Sequence, residues 1–367
     1  MTIMNTRERF VRVLTGERVD RVPFMKIFGG DNAAHPAWEQ ECPGVMKNID
    51  ALLGFEGTYR GWGKTPVAMD PVGFGPPRII EETETRITRD RGDGTIEQLP
   101  KGGDYHRHVL EWPIKDRRSW EEYKVRYLDP EVPQRFPDNW SELVARYRDR
   151  DYPLQLTHGG VYGFAREVMG DENLCLAFYD NPELVHDLMT YYTDFAIALW
   201  EKQVREVEFD LIECWEDMAS KNGSLISPGT FRKFLRPCYE KISAFARKHQ
   251  IKIILVDSDG NVNELTADME DSGVTTMYPY EVLAGCNLAA VLDRHPKFSA
   301  IGGLRKEAMA EGKEAINAEI AKAKLLIKKG RYIPGPDHFV LSNVTFANYR
   351  YFMEKLRDVV MTTPCGN

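Results

Sequence analysis

From about residue 139 onward, short apolar segments alternate with longer amphipathic ones, and this alternation constrains the fold more than any other feature. The apolar segments have the length of strands and lie at residues 152–158, 209–216, 252–257, 273–279, 298–303 and 332–336. Two of the intervening segments begin with a pair typical of helix starts, Asn181-Pro182 and Ser227-Pro228. Strands that alternate with helices build a parallel sheet covered by helices.

Two earlier segments complete the set of predicted strands. "RVPFMKIF" (21–28) is typical of a first strand and "FEGTYRG" (55–61) of a second. With these, the strand count reaches that of a (β/α)8 TIM barrel, an α/β fold, and an open doubly wound sheet is the alternative. We expect one domain over residues 1–367.

The block from about 66 to 135 has a different pattern. "RIIEETETRITRDRGDGTIEQLP" alternates polar and apolar residues around the turn pair Asp93-Gly94, and "HRHVLEWPIK" is typical of a further strand. We interpret the block as an antiparallel hairpin insertion within the N-terminal third of the barrel.

Charge and cysteine usage exclude several classes of protein. The net charge is −8 and no basic stripe is present, which argues against a nucleic-acid or anionic membrane partner. The N-terminal "MTIMNTRERF" has no apolar signal core, and no apolar run is long enough to span a bilayer. The 6 cysteines are scattered without a CxxC pair, as expected for a cytoplasmic protein without a cysteine-rich zinc site.

Ionisable and aromatic residues are concentrated where the predicted strands end. In a TIM barrel the carboxyl ends of the strands form the active site, so these residues are candidates for binding or catalysis. They are His158, Tyr162, Arg166, Glu213, Glu216, Asp217, Lys221, Asp257, Asp259, Tyr278, Tyr280, Glu281, Arg305, Lys306, Asp337 and His338. The pattern indicates an enzyme or a small-molecule binder, without specifying a reaction.

A purely structural role is the alternative for the acidic residues. Asp257 and Asp259 precede a predicted helix, where carboxylates satisfy free amides, and Asn261 with Glu264 has the spacing of a capping box. Glu216 and Asp217 are equally compatible with a solvated loop.

Several segments together resemble the uroporphyrinogen decarboxylase superfamily. They are "TRERFVRVLTGERVDRVPF", "REVMGDENLCLAFYDNPELVHDLM", "WEDMASKNGSLISP", "VDSDGN", "IGGLRKEA" and "YIPGPDHFV". The resemblance covers nearly the whole chain apart from the insertion, and it implies a (β/α)8 barrel with its site at the strand tips.

Two departures from the superfamily patterns bear on the chemistry. True uroporphyrinogen decarboxylases have an arginine-rich segment after the first strand, which grips substrate carboxylates. The corresponding "KIFGGDNAAHP" has no arginine, so the resemblance is closer to the corrinoid-dependent methyltransferases. Several of these hold zinc with His-x-Cys-Gly and a distant cysteine, which fall here on Asp257-Ser258-Asp259-Gly260 and on His338.

This resemblance implies a divalent metal held by Asp257, Asp259 and His338, with zinc expected first and manganese or ferrous iron as alternatives. The implied function is transfer of a methyl group from a small, methoxylated substrate to a corrinoid protein. The chain has no corrinoid-binding DxHxxG motif, so a partner would supply the corrinoid. Within that hypothesis, the expected catalytic residues are Glu216, Asp217, Lys221 and Tyr162, and the expected substrate-binding residues are His158, Arg166, Tyr280, Glu281, Arg305 and Lys306.

Two other functions stay open at this point. One is a metal-independent decarboxylase in which Asp257 or Asp259 stabilises positive charge and His338 assists proton delivery. The other is a barrel that binds a ligand without turnover. The superfamily implies a monomer or a homodimer.

Overall fold

The computed structural model describes residues 4–28, 34–57, 61–101 and 107–366. The strands are β1 (Gly63–Lys64), β2 (Arg78–Glu82), β3 (Arg86–Asp90), β4 (Ile96–Pro100), β5 (His108–Glu111), β6 (Leu154–His158), β7 (Leu211–Trp215), β8 (Ala219–Ser220), β9 (Gly223–Ser224), β10 (Ile253–Asp257), β11 (Thr276–Tyr278), β12 (Ser299–Leu304) and β13 (Tyr332–Pro336).

The helices pack around and between these strands. They are α1 (Thr6–Thr15), α2 (His35–Glu41), α3 (Val45–Leu53), α4 (Arg117–Tyr127), α5 (Trp140–Tyr147), α6 (Val161–Met169), α7 (Asp171–Asp180), α8 (Pro182–Gln203), α9 (Pro228–Thr230), α10 (Arg236–Lys248), α11 (Thr266–Asp271), α12 (Leu288–Arg294), α13 (Ala308–Glu311), α14 (Lys313–Lys329) and α15 (Phe346–Thr362). Short 3₁₀ turns lie at Pro133–Arg135 and Val282–Ala284, and a π-helical turn at Phe231–Leu235.

A parallel sheet of seven strands forms the centre of the molecule, in the order β1-β6-β7-β10-β11-β12-β13. Its order follows the chain, so consecutive strands are neighbours, as in βαβ units. The strand Ile253–Asp257 is buried from Ile253 to Val256, which explains its continuous apolar run, since strands covered on both faces need no polar alternation. The six strands predicted after residue 139 are confirmed.

The two predicted N-terminal strands differ from the structure. Residues 21–28 form no strand, although the segment is buried from Val22 to Met25; Pro23 supplies no N–H to a ladder there. The second strand is short and begins at Gly63, beyond the predicted 55–61, of which residues 58–60 lie outside the described residues. Within the described residues the sheet therefore has seven strands and not eight.

The predicted antiparallel insertion is a separate four-stranded sheet in the order β2-β3-β4-β5. Gly94 has a φ of 93° in the turn between β3 and β4, a conformation that glycine adopts at little cost. The helix α4 follows this sheet and closes the block against α8, where the Trp120 indole donates to Asp187.

The helix expected directly after Asp259 begins later than predicted. Its first residue is Thr266, and Asn261 accepts a hydrogen bond from the Asn263 N–H instead of capping a helix. The capping alternative for Asp257 and Asp259 is therefore wrong, since the helix that follows β10 has no side-chain cap. None of the helices in the described part of the chain combines the length and the apolar character that crossing a bilayer requires.

Candidate active site

A cavity of about 540 Å³ opens at the carboxyl end of the parallel sheet. Three strands contribute their last residues to its wall, namely Trp215 of β7, Asp257 of β10 and Tyr278 of β11. Because parallel strands end at the same edge, residues far apart in the chain meet here. This is the edge at which the sequence predicts chemistry.

Aromatic side chains form much of the cavity wall. The ring of Phe28 lies 5.4 Å from that of Tyr278 and 5.0 Å from that of Phe339, and Trp62 contacts Tyr278 edge-on at 5.7 Å. Such contacts hold the rings in fixed orientations and exclude water from the cavity wall. Trp62 and Phe28 come from the N-terminal segments, and sequence reasoning did not assign them to the site.

Carboxylates form the opposite part of the cavity. Burial raises the pKa of Asp257 well above its ordinary value, and the negative charges of Glu213, Asp217 and Asp259 raise it further. Burial also raises the pKa of Glu213, which accepts a hydrogen bond from the Gln155 amide. Glu213 was among the strand-tip residues without a predicted role, and it lines the cavity.

Asp217 is held from two directions. Its Oδ2 accepts from the Arg166 guanidinium at 3.0 Å, and its Oδ1 accepts from the Asp259 N–H at 3.2 Å. The backbone at Asp217 has a φ of 43°, which turns the chain sharply after β7. Arg166, predicted to bind substrate, is thus the ion-pair partner of Asp217.

His338 contacts Asp259 across the cavity. The Nε2 of His338 lies 3.0 Å from Asp259 Oδ2, and this hydrogen bond raises the pKa of the imidazole. The two residues are 79 positions apart and meet because the loops after β10 and β13 both reach over the sheet edge.

Two overlapping groups in the described residues have their ligand atoms within 4.8 Å of one another, as a metal site requires. One is Asp259, Glu281 and His338, and the other is Asp217, Asp257 and Asp259. The predicted ligands Asp257, Asp259 and His338 are divided between the two groups, which share Asp259. The donor set fits a divalent cation, since crowded carboxylates raise one another's pKa and a bound cation removes that repulsion.

Glu216 has a different environment from its neighbour Asp217. It is fully buried, and its carboxylate accepts from the N–H groups of Val161, Tyr162 and Gly163 and from the Tyr239 hydroxyl. It therefore satisfies the free amides at the start of α6. Glu216 does not line the cavity, so the expected catalytic role conflicts with its position.

Three other predicted residues are also enclosed away from the cavity lining. Tyr162 is buried and its hydroxyl bonds to Asp171 at 3.0 Å. Tyr280 is buried within the core, and its hydroxyl has no hydrogen-bond partner among the described residues. His158 is buried beside Tyr192 and Trp200, and burial lowers its pKa to about 3.

The predicted cationic residues are either exposed or already paired. Lys221 is exposed in the turn between β8 and β9. Arg305 pairs with Glu311, and Lys306 pairs with Glu281 at 3.0 Å. Neither Arg305 nor Lys306 is among the residues that line the cavity, so their expected role in binding a substrate carboxylate stays a prediction.

Comparisons with known proteins agree with the fold. The family model described as uroporphyrinogen decarboxylase (URO-D) matches residues 124–359, more than half of the chain. A methyltransferase from Methanosarcina mazei has a TM-score of 0.60 and 17% sequence identity, over 97% of this chain and 98% of that chain. At this identity the similarity shows a shared fold.

A proposed vitamin-B12-independent methionine synthase from Listeria monocytogenes has a TM-score of 0.33 and 12% identity, over 59% of this chain and 69% of that chain. This similarity is too low to carry an argument. No curated protein matches the chain. The family match, together with a site at the strand tips, gives the assignment: the chain belongs to the uroporphyrinogen decarboxylase (URO-D) family.

Proposed function

We propose that this protein is a methyltransferase that removes a methyl group from a small, uncharged, methoxylated substrate and delivers it to a corrinoid carried by a partner protein. The observation that carries the proposal is the pairing of aromatic walls with a carboxylate cluster in one cavity. The fold shared with a methyltransferase supports it. The absence of a DxHxxG motif in this chain supports a corrinoid supplied by a second, cytoplasmic protein.

The charge balance of the cavity argues against a carboxylated substrate. Among the described residues, two cations near the cavity already have a carboxylate: Lys26 lies 2.9 Å from Asp50, and Arg166 lies 3.0 Å from Asp217. Glu213 and Asp257 have no cation within salt-bridge distance among the described residues, so their ionised forms would repel a substrate carboxylate wherever no bound metal offsets the charge. Two like charges 4 Å apart repel by about 4 kcal/mol at a dielectric constant near 20.

A divalent metal fits this arrangement. Of the expected ligands Asp257, Asp259 and His338, Asp259 would hold it together with either Glu281 and His338 or Asp217 and Asp257; zinc is the first choice, and manganese or ferrous iron are the alternatives. The chemistry that such a metal supplies is Lewis-acid polarisation of the ether oxygen. The protein's own contribution is to hold Asp259 between His338 and Asp217 and to keep water from the reacting group with aromatic walls.

We also infer that the sheet closes as a TIM barrel, with residues 22–27 in the eighth position. A Cβ on Gly335 of β13 would lie 2.5 Å from Ile27, and a Cβ on Gly61 would lie 3.4 Å from the Lys26 carbonyl oxygen. The segment therefore lies between the two ends of the sheet. The insertion, residues 66–135, is then part of the single domain that spans residues 1–367.

Metal content tests the proposal first. Elemental analysis of the purified protein should find about one equivalent of metal, and Asp259→Ala and His338→Ala should each lose it. His295→Ala is a matched control, because His295 also pairs with a carboxylate, Glu270 at 2.6 Å, but does not line the cavity. A control that loses metal as fully as His338→Ala would contradict the assignment.

Methyl transfer is then measured with free cob(I)alamin as the acceptor and 2-methoxyphenol as the donor. The methyl carbon leaves its oxygen and bonds to cobalt, whose electron pair forms the new bond, and the oxygen keeps the pair of the broken bond and takes a proton from water. Metal bound without transfer to cobalamin, over a panel of methoxylated donors, would refute methyl transfer. A folded protein that binds none of zinc, manganese or ferrous iron would favour the metal-independent decarboxylase or the non-catalytic barrel.

A further inference from the structure

A second cavity of about 320 Å³ lies beside the first, on the side of the insertion. Phe74, Arg91 and Tyr123 of the insertion form one wall, and Phe164 of α6 and Tyr192 of α8 form the other. The insertion wall precedes residue 124, outside the range that the family model matches. Its volume is at the lower end of ligand pockets, which suits a ring-sized group.

The lining of this cavity favours an uncharged ring. Phe164 and Tyr192 stack with their centroids 3.7 Å apart. Of the charged lining side chains, Arg91 lies 3.7 Å from Asp93, Glu167 accepts from Arg107 at 3.0 Å, and Asp70 is exposed to solvent. No lining cation among the described residues is left for an anionic ligand. Aromatic rings bind well to such walls through offset and edge contacts.

Trp215 lines both cavities. Its backbone packs closely against the start of α6, because a Cβ on Gly160 or Gly163 would lie 1.9 Å or 2.1 Å from the Trp215 carbonyl oxygen. The Arg166 guanidinium lies 5.0 Å from the indole centroid, while the same side chain bonds to Asp217. The two cavities therefore meet at the Trp215 indole.

We propose that the second cavity binds an uncharged aromatic ring that forms the distal part of the methyl donor, whose methoxylated ring occupies the first cavity. The substrate class is then a neutral two-ring aromatic compound. This inference rests on the proposed methyl transfer for the role of the ligand, but the binding itself requires neither a metal nor turnover. The proposal also assigns a function to the insertion, which forms one wall of the second cavity.

Calorimetric titration with 4-phenylphenol and phenol tests the proposal. The wild-type protein should bind the two-ring compound at least about tenfold more tightly, because the second ring buries apolar surface. Phe74→Ala should remove most of that difference. Phe339→Ala is the matched control, since Phe339 lines only the first cavity and is 40% exposed where Phe74 is 39% exposed. It should weaken both compounds alike and leave the ratio unchanged.

Three results would overturn the proposal: equal affinity for the two compounds, a ratio unaffected by Phe74→Ala, or a ratio that falls only in Phe339→Ala. Thermal melting confirms that each variant is folded before titration. Methyl transfer is assayed separately with methoxylated one-ring and two-ring donors. If Phe74→Ala lowers the ratio of the affinities for 4-phenylphenol and phenol but no methyl transfer is found, the binding site is supported and the proposed function is refuted. The failure of the binding site and the failure of the proposed function are therefore distinguishable.

Discussion

Replacing Glu216 with alanine is expected to destabilise the fold strongly and leave the cavity chemistry in place. The carboxylate accepts from the N–H groups of Val161, Tyr162 and Gly163 at 2.8, 2.7 and 3.0 Å, and from the Tyr239 hydroxyl. Each buried donor left without a partner costs about 1–3 kcal/mol, and the losses within one network are not additive. We therefore expect Glu216→Ala to lower the free energy of unfolding by roughly 3–5 kcal/mol.

Two milder variants define the scale of this effect. Glu216→Gln keeps the volume and one acceptor oxygen, so its expected cost is about 1–2 kcal/mol. Tyr239→Phe removes a single donor and leaves the backbone contacts of the carboxylate intact, so its expected cost is about 1 kcal/mol. The expected cost decreases from Glu216→Ala through Glu216→Gln to Tyr239→Phe, because each of these variants removes fewer hydrogen bonds than the one before.

Urea unfolding followed by tryptophan fluorescence and by circular dichroism measures these costs. The midpoints should shift while the dependence on urea stays constant, and the two probes should give coincident transitions if one cooperative unit unfolds. Metal binding by folded Glu216→Gln should match that of the wild type. A Glu216→Ala variant with an unchanged midpoint and lost metal binding or methyl transfer would refute this reasoning and restore the catalytic role that the sequence suggested.

Two further predictions concern single buried positions. Burial lowers the pKa of His158 to about 3, below the unfolded value near 6.5, so stability should fall by up to about 1.4 kcal/mol per pH unit as the pH drops from about 6.5 towards 3. His158→Phe should flatten that part of the stability profile, measured by urea unfolding at several pH values, and an unchanged slope would contradict the assignment. Gly160→Ala should cost roughly 3 kcal/mol or more, because Gly160 has a φ of 83° and a Cβ there would lie 1.9 Å from the Trp215 carbonyl oxygen. Gly229→Ala is its control and should change the melting temperature little, since a Cβ at Gly229 would meet only Ser227 Oγ at 3.6 Å.

Much of the sheet could be predicted because its determinants are local. The apolar run Ile253–Val256 marks a strand that is buried on both faces, and the sheet order follows the chain order. The strand predicted at residues 21–28 was wrong: the segment is buried as its apolar pattern suggests, but it forms no strand, whereas β13 does so despite Pro334 and Pro336. The short strand Gly63–Lys64 has too few residues to show any periodicity.

The candidate site could be predicted only in part. That Asp257, Asp259 and His338 lie at one edge follows from parallel strands that end together. Phe28 ends the first predicted N-terminal strand and Trp62 directly follows the second, but these aromatic residues were not selected as site residues, and Lys26 lies within the first of these strands. The second cavity requires Phe74 and Phe164 to face each other across the insertion, and no sequence pattern encodes that distance.

Sequence alone determined the class of fold, the edge at which polar groups gather and the acidic character of that edge, because these depend on periodicity and on composition along short segments. Only the tertiary structure decided which of two adjacent carboxylates accepts hydrogen bonds from a helix start and which one lines the cavity. Glu216 turns to the amides of α6, whereas Asp217, at a φ of 43°, turns to Arg166 and Asp259. Each direction is set by partners that lie tens of residues away, and such partners become neighbours only when the whole sheet is assembled.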